Sequence, residues 1–230
     1  MRNVCWNLAL ILCSCLLLSG CGVSVVILKA EQRAALSAVQ LDLKVFIEGY
    51  YIVGGTMQPL RVNAGVAGAT ATETDTITVE LHRAVSPWDT LDQATAMLST
   101  SGTANFSFSA VSSGSYYIVV KHKNAIATWS GAPVTLMAGS NSYDFSSAAT
   151  QAYNSNLTQV EAGVWAIYSG DLNQDESVDG SDWTTLETDV IASAFGYLVT
   201  DLNGDGSTDN GDVTIWTNNY NNFIFSEHPY

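Results

Sequence analysis

Beyond Lys123 the chain contains no lysine or arginine, and beyond Cys21 no cysteine. All eight basic residues lie in residues 1–123 together with eight acidic ones, so that part is balanced. Residues 124–230 carry the other fourteen acidic residues unopposed, which gives the net charge of −14. The missing positive charge excludes nucleic acid as a partner of the C-terminal part, because phosphate binding needs clustered Lys and Arg. The missing cysteines exclude a disulfide framework and a thiol nucleophile from everything after residue 21. Histidine is scarce as well: His82, His122 and His228 are the whole set, with no HExxH and no GxSxG. His82 and His122 end strand-like runs beside Arg83, Lys121 and Lys123 and are expected to be surface histidines. Glu48 and Glu80 could be imagined as a glycosidase acid/base pair, but nothing in their spacing singles them out. The expectation is that the chain is not an enzyme.

What is present is concentrated at the two ends. Residues 1–21 read as a signal segment, with Arg2, an apolar run from Leu8 to Leu18 and small residues after it. Leu18-Ser19-Gly20-Cys21 resembles a bacterial lipobox, in which Cys21 becomes the lipidated first residue. That reading makes the chain an exported lipoprotein held at the membrane through its N-terminal lipid, at the bacterial cell surface or in the periplasm. A signal cleaved elsewhere would leave a secreted protein. An uncleaved anchor from about Trp6 to Leu28 is the alternative, since Val23–Leu28 is unusually apolar for a tether. Residues 22–40 are expected to be a tether, with a helical neck over Lys29–Gln40.

At the other end a twelve-residue pattern occurs twice, thirty residues apart. Asp171, Asn173, Asp175, Ser177, Asp179 and Asp182 recur in register as Asp201, Asn203, Asp205, Ser207, Asp209 and Asp212. Oxygen-bearing residues at positions 1, 3, 5, 9 and 12, with the backbone carbonyl of position 7, form the kind of cage a hard cation takes. Ca²⁺ is bound by six to eight oxygens at roughly 2.3–2.6 Å. Two calcium ions are therefore expected. Position 6, where such a loop turns sharply, is Gly206 in the second copy and Glu176 in the first, so the second loop is expected to be better formed. Apolar residues at near-helical spacing follow each loop, in Asp182–Ile191 and in Asp212–Tyr220, and predict one short helix per copy. Trp183, Trp216, Phe195 and Phe225 are expected to form the small core that the copies share.

This doubled DxNxDxxxDxxD, each loop followed by one helix and preceded by none, resembles the dockerin type I duplication over residues 168–225, about a quarter of the chain. The resemblance implies docking to a cohesin-like protein through loop positions 10 and 11 and the following helix. Here those positions are Gly180 and Ser181, then Asn210 and Gly211, which match neither each other nor the Ser/Thr pair common in that family. Partner-binding residues are expected to be Ser181 and Thr185 in one copy and Asn210 and Thr214 in the other, with one dominant face and a non-standard partner. The chain's own sandwich is the other candidate partner.

From Leu41 the apolar period becomes two: Leu41, Leu43, Val45 and Ile47, then Ile77, Val79 and Leu81, alternate with polar residues. Further strand-like runs are Asn105–Ser109, Tyr116–His122, Ala125–Trp129, Val134–Ala138 and Tyr143–Phe145. The pattern predicts an antiparallel β-sandwich over residues 41–145 and resembles prealbumin-like or fibronectin-like exported modules. The fold expected for the whole chain is thus mainly β with a small α module: the sandwich, a connector over 146–167, and a dockerin-like calcium-binding domain over 168–230. Tyr50, Tyr51, Trp88, Tyr116, Tyr117, Trp129 and Tyr143 supply either core or a sugar-stacking platform. In a strand Tyr116 and Tyr117 must point to opposite faces, so one of them is expected to be exposed. The two function readings are a non-catalytic surface module that docks a protein, and a carbohydrate-binding surface protein whose calcium is purely structural.

Overall fold

The structure, a computed structural model, describes residues 38–230. The signal segment, Cys21 and the neck up to residue 37 lie outside the described residues. In chain order the elements are β1 (Val39–Lys44), β2 (Tyr51–Ile52), β3 (Thr56–Met57), the single-turn helix α1 (Leu60–Asn63), β4 (Glu73–Arg83), β5 (Thr90–Ser99), β6 (Thr103–Phe108), β7 (Gly114–His122), β8 (Ala125–Trp129), β9 (Val134–Leu136), β10 (Gly139–Asp144), β11 (Thr158–Glu161), β12 (Val164–Ala166), α2 (Gly180–Ala192) and α3 (Asn210–Asn221).

Two sheets enclose one core. The first has the order β10-β1-β6; the second runs β5-β4-β7-β8, with β9 also paired to β7. Alternation decides which side chains face inward. Leu41, Leu43, Phe106 and Phe108 from the first sheet meet Ile77, Val79, Leu81, Ile118 and Val120 from the second. Each such side chain, once buried, contributes about 1.5–3 kcal/mol. The sandwich is not wholly antiparallel: β1 and β10 run parallel, from Val39 opposite Gly139 to Lys44 opposite Asp144. A period of two fixes which face is buried but not strand direction, and the long crossover that a parallel pair needs is here the rest of the sandwich.

Other expectations fail for readable reasons. The helical neck gives way to strand at Val39, which pairs with both Phe108 and Gly139. Strand β5 has weak intrinsic preference, with Ala94, Ala96, Met97 and no β-branched residue but Thr90 and Thr95. It is ordered by its ladder with β4, from Glu73 opposite Ser99 to His82 opposite Thr90. The segment 146–167 is no connector: it forms 3-10 turns and the β11–β12 hairpin and places Ala152, Leu157, Ala166 and Ile167 in the sandwich core. Tyr116 and Tyr117 do point to opposite faces, yet both are buried. Tyr116 lies in the main core, and Tyr117 joins Val119, Ala127 and Trp129 on the outer face, under Trp88 and Tyr153. His82 and His122 are buried too, not on the surface. The C-terminal module has a small core of its own, in which Leu172, Val178, Leu186, Leu202 and Trp216 pack with Ile126 of β8. No helix among the described residues is long and apolar enough to cross a membrane.

Candidate metal centre

Each helix starts two residues earlier than its apolar spacing predicts. Asp179 caps α2 and Asp209 caps α3, and the Asp at position 12 sits at the third helical residue and returns the bond: Asp182 accepts from Asp179 N–H at 2.9 Å and Asp212 from Asp209 N–H at 2.8 Å. This reciprocal capping box satisfies two donors that a helix start leaves unpaired. The other oxygen of Asp182 accepts from Leu172 and Asn173 N–H, and that of Asp212 from Leu202 and Asn203 N–H. Position 12 therefore draws the start of each loop back onto its helix.

Position 1 organises the turn. In the first loop Asp171 accepts from Asp175 and Glu176 N–H, both at 3.2 Å; in the second Asp201 accepts from Gly204 at 2.7 Å and Gly206 at 2.9 Å. Asn173 and Asn203 each accept from the N–H of position 5 at 2.9 Å and donate to its carboxylate, at 2.8 and 3.0 Å. Positions 4 and 6 have positive φ in both copies: 60° and 75° at Gln174 and Glu176, 76° and 93° at Gly204 and Gly206. Glu176 does make the glycine turn without being glycine, and so does Gln174.

The copies are tied to each other, not merely repeated. Val178 N–H donates to Ile224 O at 2.8 Å and Ser226 N–H to Glu176 O at 2.7 Å. Thirty residues away in each case, Thr208 N–H donates to Ala194 O and Gly196 N–H to Gly206 O, both at 2.9 Å. Each pair forms a short antiparallel bridge, Ser177 opposite Phe225 and Ser207 opposite Phe195. Phe195 and Phe225 thus match through backbone register and are not core: they are 70% and 46% exposed. In such a bridge Ser177 and Ser207 turn both N–H and C=O away from the partner segment. Their N–H groups donate to Asp175 and Asp205 inside the loops, so their carbonyls face the same way, as position 7 requires.

Burial pushes Asp171 up to about 7, with the charge of Asp182 adding to it; burial pushes Asp201 up to about 6, with Asp212 adding. Asp182 and Asp212 are raised by burial as well. Asp205 lies low: bonds from Ser207 and Asn203 outweigh its burial. Carboxylates held together out of water resist ionising until positive charge joins them. Among the described residues no three His, Cys, Asp or Glu side chains alone assemble a metal cage. A cation at either loop would need neutral oxygens as well, from Asn173 and Ser177 or from Asn203 and Ser207. Such a set would be all oxygen, which fits a hard cation and no soft one.

The residues expected to bind a partner are exposed, but not equally free. The Ser181 hydroxyl donates within the first loop, to Asp179 at 2.7 Å, and accepts from Asn173 at 2.5 Å. Thr214 bonds back to Asn210 O at 2.8 Å. Thr185 is exposed on α2. Trp183 and Trp216 lie 5.0 Å apart between their rings, and Tyr220 stacks on Trp216 at 4.8 Å; with Val213 and Thr217 they line a shallow groove between the helices of about 300 Å³.

A joint to the sandwich was not legible in the sequence. Asp75 of β4 is buried, with His122 Nε2 and Lys123 Nζ each at 3.0 Å, and it accepts a short hydrogen bond from Tyr197, which links the two loop-helix units. Burial would raise Asp75, but His122, Lys123 and Tyr197 hold its carboxyl well below the usual range. Lys123 also lies over the Tyr197 ring, 3.4 Å from its centre. Asp75, the adjacent His122 and Lys123, and Tyr197 come from three distant parts of the sequence and form no motif.

A scan against protein-family models and a search of curated proteins find no match. Among solved structures the chain is similar to two type II cohesin–X-dockerin complexes from Acetivibrio cellulolyticus, a C-terminal and an N-terminal interface mutant. Each is 15% identical over 79% of this chain and 95% of the matched one, with TM-scores of 0.46 and 0.45. That likeness is too slight to transfer a partner.

Proposed function

We propose that the chain is a non-catalytic, exported surface module that binds two calcium ions and docks a protein partner of cohesin-like kind. Asp171, Asn173, Asp175, Asp179, Asp182 and the Ser177 carbonyl would hold one ion. Asp201, Asn203, Asp205, Asp209, Asp212 and the Ser207 carbonyl would hold the other. The observation that carries the reading is the repetition, thirty residues on, of one hydrogen-bond scheme around carboxylates that burial and neighbouring negative charge make harder to ionise. A bound cation would supply the missing charge and cross-link the loops. Lipidation at Cys21 belongs to the same reading, and mass spectrometry of the mature N-terminus tests it.

The docking face is assigned chiefly to the first copy. Helix α2 leaves Thr184, Thr185, Thr188 and Ile191 exposed, whereas α3 is pinned by Asn219, which donates to Glu48 at 2.6 Å and to Ser169 O at 2.8 Å. A pull-down from the source's own secreted and membrane fractions, with calcium and with chelator, tests the reading. A protein retained only with calcium is expected, and Thr185→Asp should weaken its retention more than Thr214→Asp. Equal losses would mean two interchangeable faces. No loss from either variant, with calcium still bound, would remove this surface from docking.

A further inference from the structure

A second cleft lies away from the helices, on the outer face of the β5-β4-β7-β8 sheet. Trp88, His82 and Trp129 form one side and floor; Glu176, His228 and Tyr230 form the other, around about 420 Å³. That volume is within the range of small-ligand sites, roughly 300–1,000 Å³. We propose that this cleft binds a pyranose ring of a neutral glycan.

The rings are placed in advance. Trp88 has φ 55°, a conformation bulky residues rarely adopt, and is held there by its N–H on Val85 O at 3.0 Å and by its carbonyl on His82 Nδ1 at 2.8 Å. His82 packs on Trp129 at 4.4 Å between rings, and its Nε2 meets Glu80 at 2.8 Å. The opposite wall is the C-terminal tail. Ser226 fixes it from both sides, donating its hydroxyl to Ala127 O at 2.6 Å and its N–H to Glu176 O at 2.7 Å. Beyond that anchor His228 lies 5.8 Å from Trp129, and Tyr230 follows at 5.6 Å from His228. Tyr230 is 83% exposed, so among the described residues little packing beyond the His228 ring accounts for its place beside the cleft.

Charge selects the ligand class. Glu80 is matched by His82 and by Lys121 at 3.0 Å, and Glu176 lies 3.8 Å from His228. Among the described residues lining the cleft no lysine or arginine is present to attract an anion, and the one carboxylate, Glu176, stands half-exposed at the rim beside His228. What remains is aromatic surface beside groups that both donate and accept hydrogen bonds. A pyranose offers the complement: a C–H face to lie on a ring and an edge of hydroxyls.

The test is titration of the full chain, in calcium, with cellohexaose, xylohexaose, mannohexaose and chitohexaose, read by tryptophan fluorescence and calorimetry. At least one should bind saturably, and Trp88→Ala should weaken it at least tenfold. Tyr230→Ala, at a side chain that is 83% exposed and outside the core, should weaken it severalfold. No binding by any of the four sugars overturns the proposal, as does unchanged affinity in both variants. Saturable binding of choline in place of sugar would also overturn it, in favour of a cation cage.

Discussion

The two loops share one hydrogen-bond scheme but not one environment. In the first, residues 173–176 are exposed; in the second, Gly204 and Gly206 are buried against the sandwich. A Cβ on Gly206 would stand 2.4 Å from Asn63 O, and one on Gly204 3.0 Å from the Tyr50 ring and from Gln58. Asn63 donates to Gly204 O at 2.7 Å, and Asn124 reaches Asp201 O and Val199 O at 3.1 Å each. From the other side Gly49 approaches so closely that its Cβ would overlap Leu202 O, at 2.0 Å. The glycines of the second loop thus serve twice, allowing the turn and allowing contact, while the first loop makes the same turn with Gln174 and Glu176, whose side chains have room to reach out to Ala125 O at 3.4 Å and to His228 at 3.8 Å. A difference that looks like loop quality in the sequence is a difference in docking.

The largest expected effect follows from that docking. A site saturated at a thousandfold excess over its dissociation constant stabilises the fold by about 4 kcal/mol. The second site is braced by the sandwich, so its binding energy should reach the whole chain. Scanning calorimetry of Asp205→Ala and Asp175→Ala, each in calcium and in chelator, is expected to show Asp205→Ala losing more of the calcium-dependent rise in melting temperature. Equal losses would break the comparison, because the loops would then bind independently of their surroundings.

The joint at Asp75 comes next. Removing one partner of a buried pair costs about 3–5 kcal/mol, since the others stay buried and unpaired. Asp75→Ala should therefore loosen the second half of the module from the sandwich, seen as faster amide exchange at Leu202 and Gly204 than at Leu172 and Gln174. The two regions should also respond to acid with opposite sign. Asp75 is held below its ordinary value of 3.8, so its contribution is present above about pH 4 and is lost as pH falls further. Asp171 and Asp201 are raised to about 7 and about 6, so in chelator their contribution is present below about pH 4 and is lost as pH rises through those values. Melting temperature in chelator should fall between pH 4 and 7, and calcium should abolish the fall. A flat profile in chelator would contradict the burial of these carboxylates.

The loops and the strands were legible because their signals are local. Ligand spacing, a glycine at a turn and a period of two need only neighbours in the chain. What could not be read depends on residues far apart: the parallel pairing of β1 with β10, the order of β5, and the Asp75–His122–Lys123–Tyr197 joint. Phe195 and Phe225 show the middle case. Their thirty-residue spacing was visible and meaningful, but it records the backbone bridges to Ser207 and Ser177 and not burial. The spacing of the second-loop glycines likewise marked a turn without revealing that Asn63 and Tyr50 stand behind it.

A pair of exchanges at position 6 separates those two roles of glycine and has the smallest expected effect. Gly206→Ala places a side chain at φ 93°, which costs about 1–2 kcal/mol in a left-handed conformation. It also forces the loop off Asn63, an overpacking of about 1–3 kcal/mol. Glu176→Gly relieves the left-handed strain at φ 75°, offset by the roughly 0.5–1 kcal/mol that glycine loses in entropy on folding. The pair with His228 at 3.8 Å is surface-exposed and adds little to either side. The expected result is a loss of about 2–5 kcal/mol for Gly206→Ala and a gain of up to about 1.5 kcal/mol for Glu176→Gly, measured by urea unfolding in saturating calcium. If Gly206→Ala costs no more than the left-handed term alone, the second loop does not press on the sandwich; if Glu176→Gly destabilises, the first loop relies on its glutamate for a contact stronger than this surface pair.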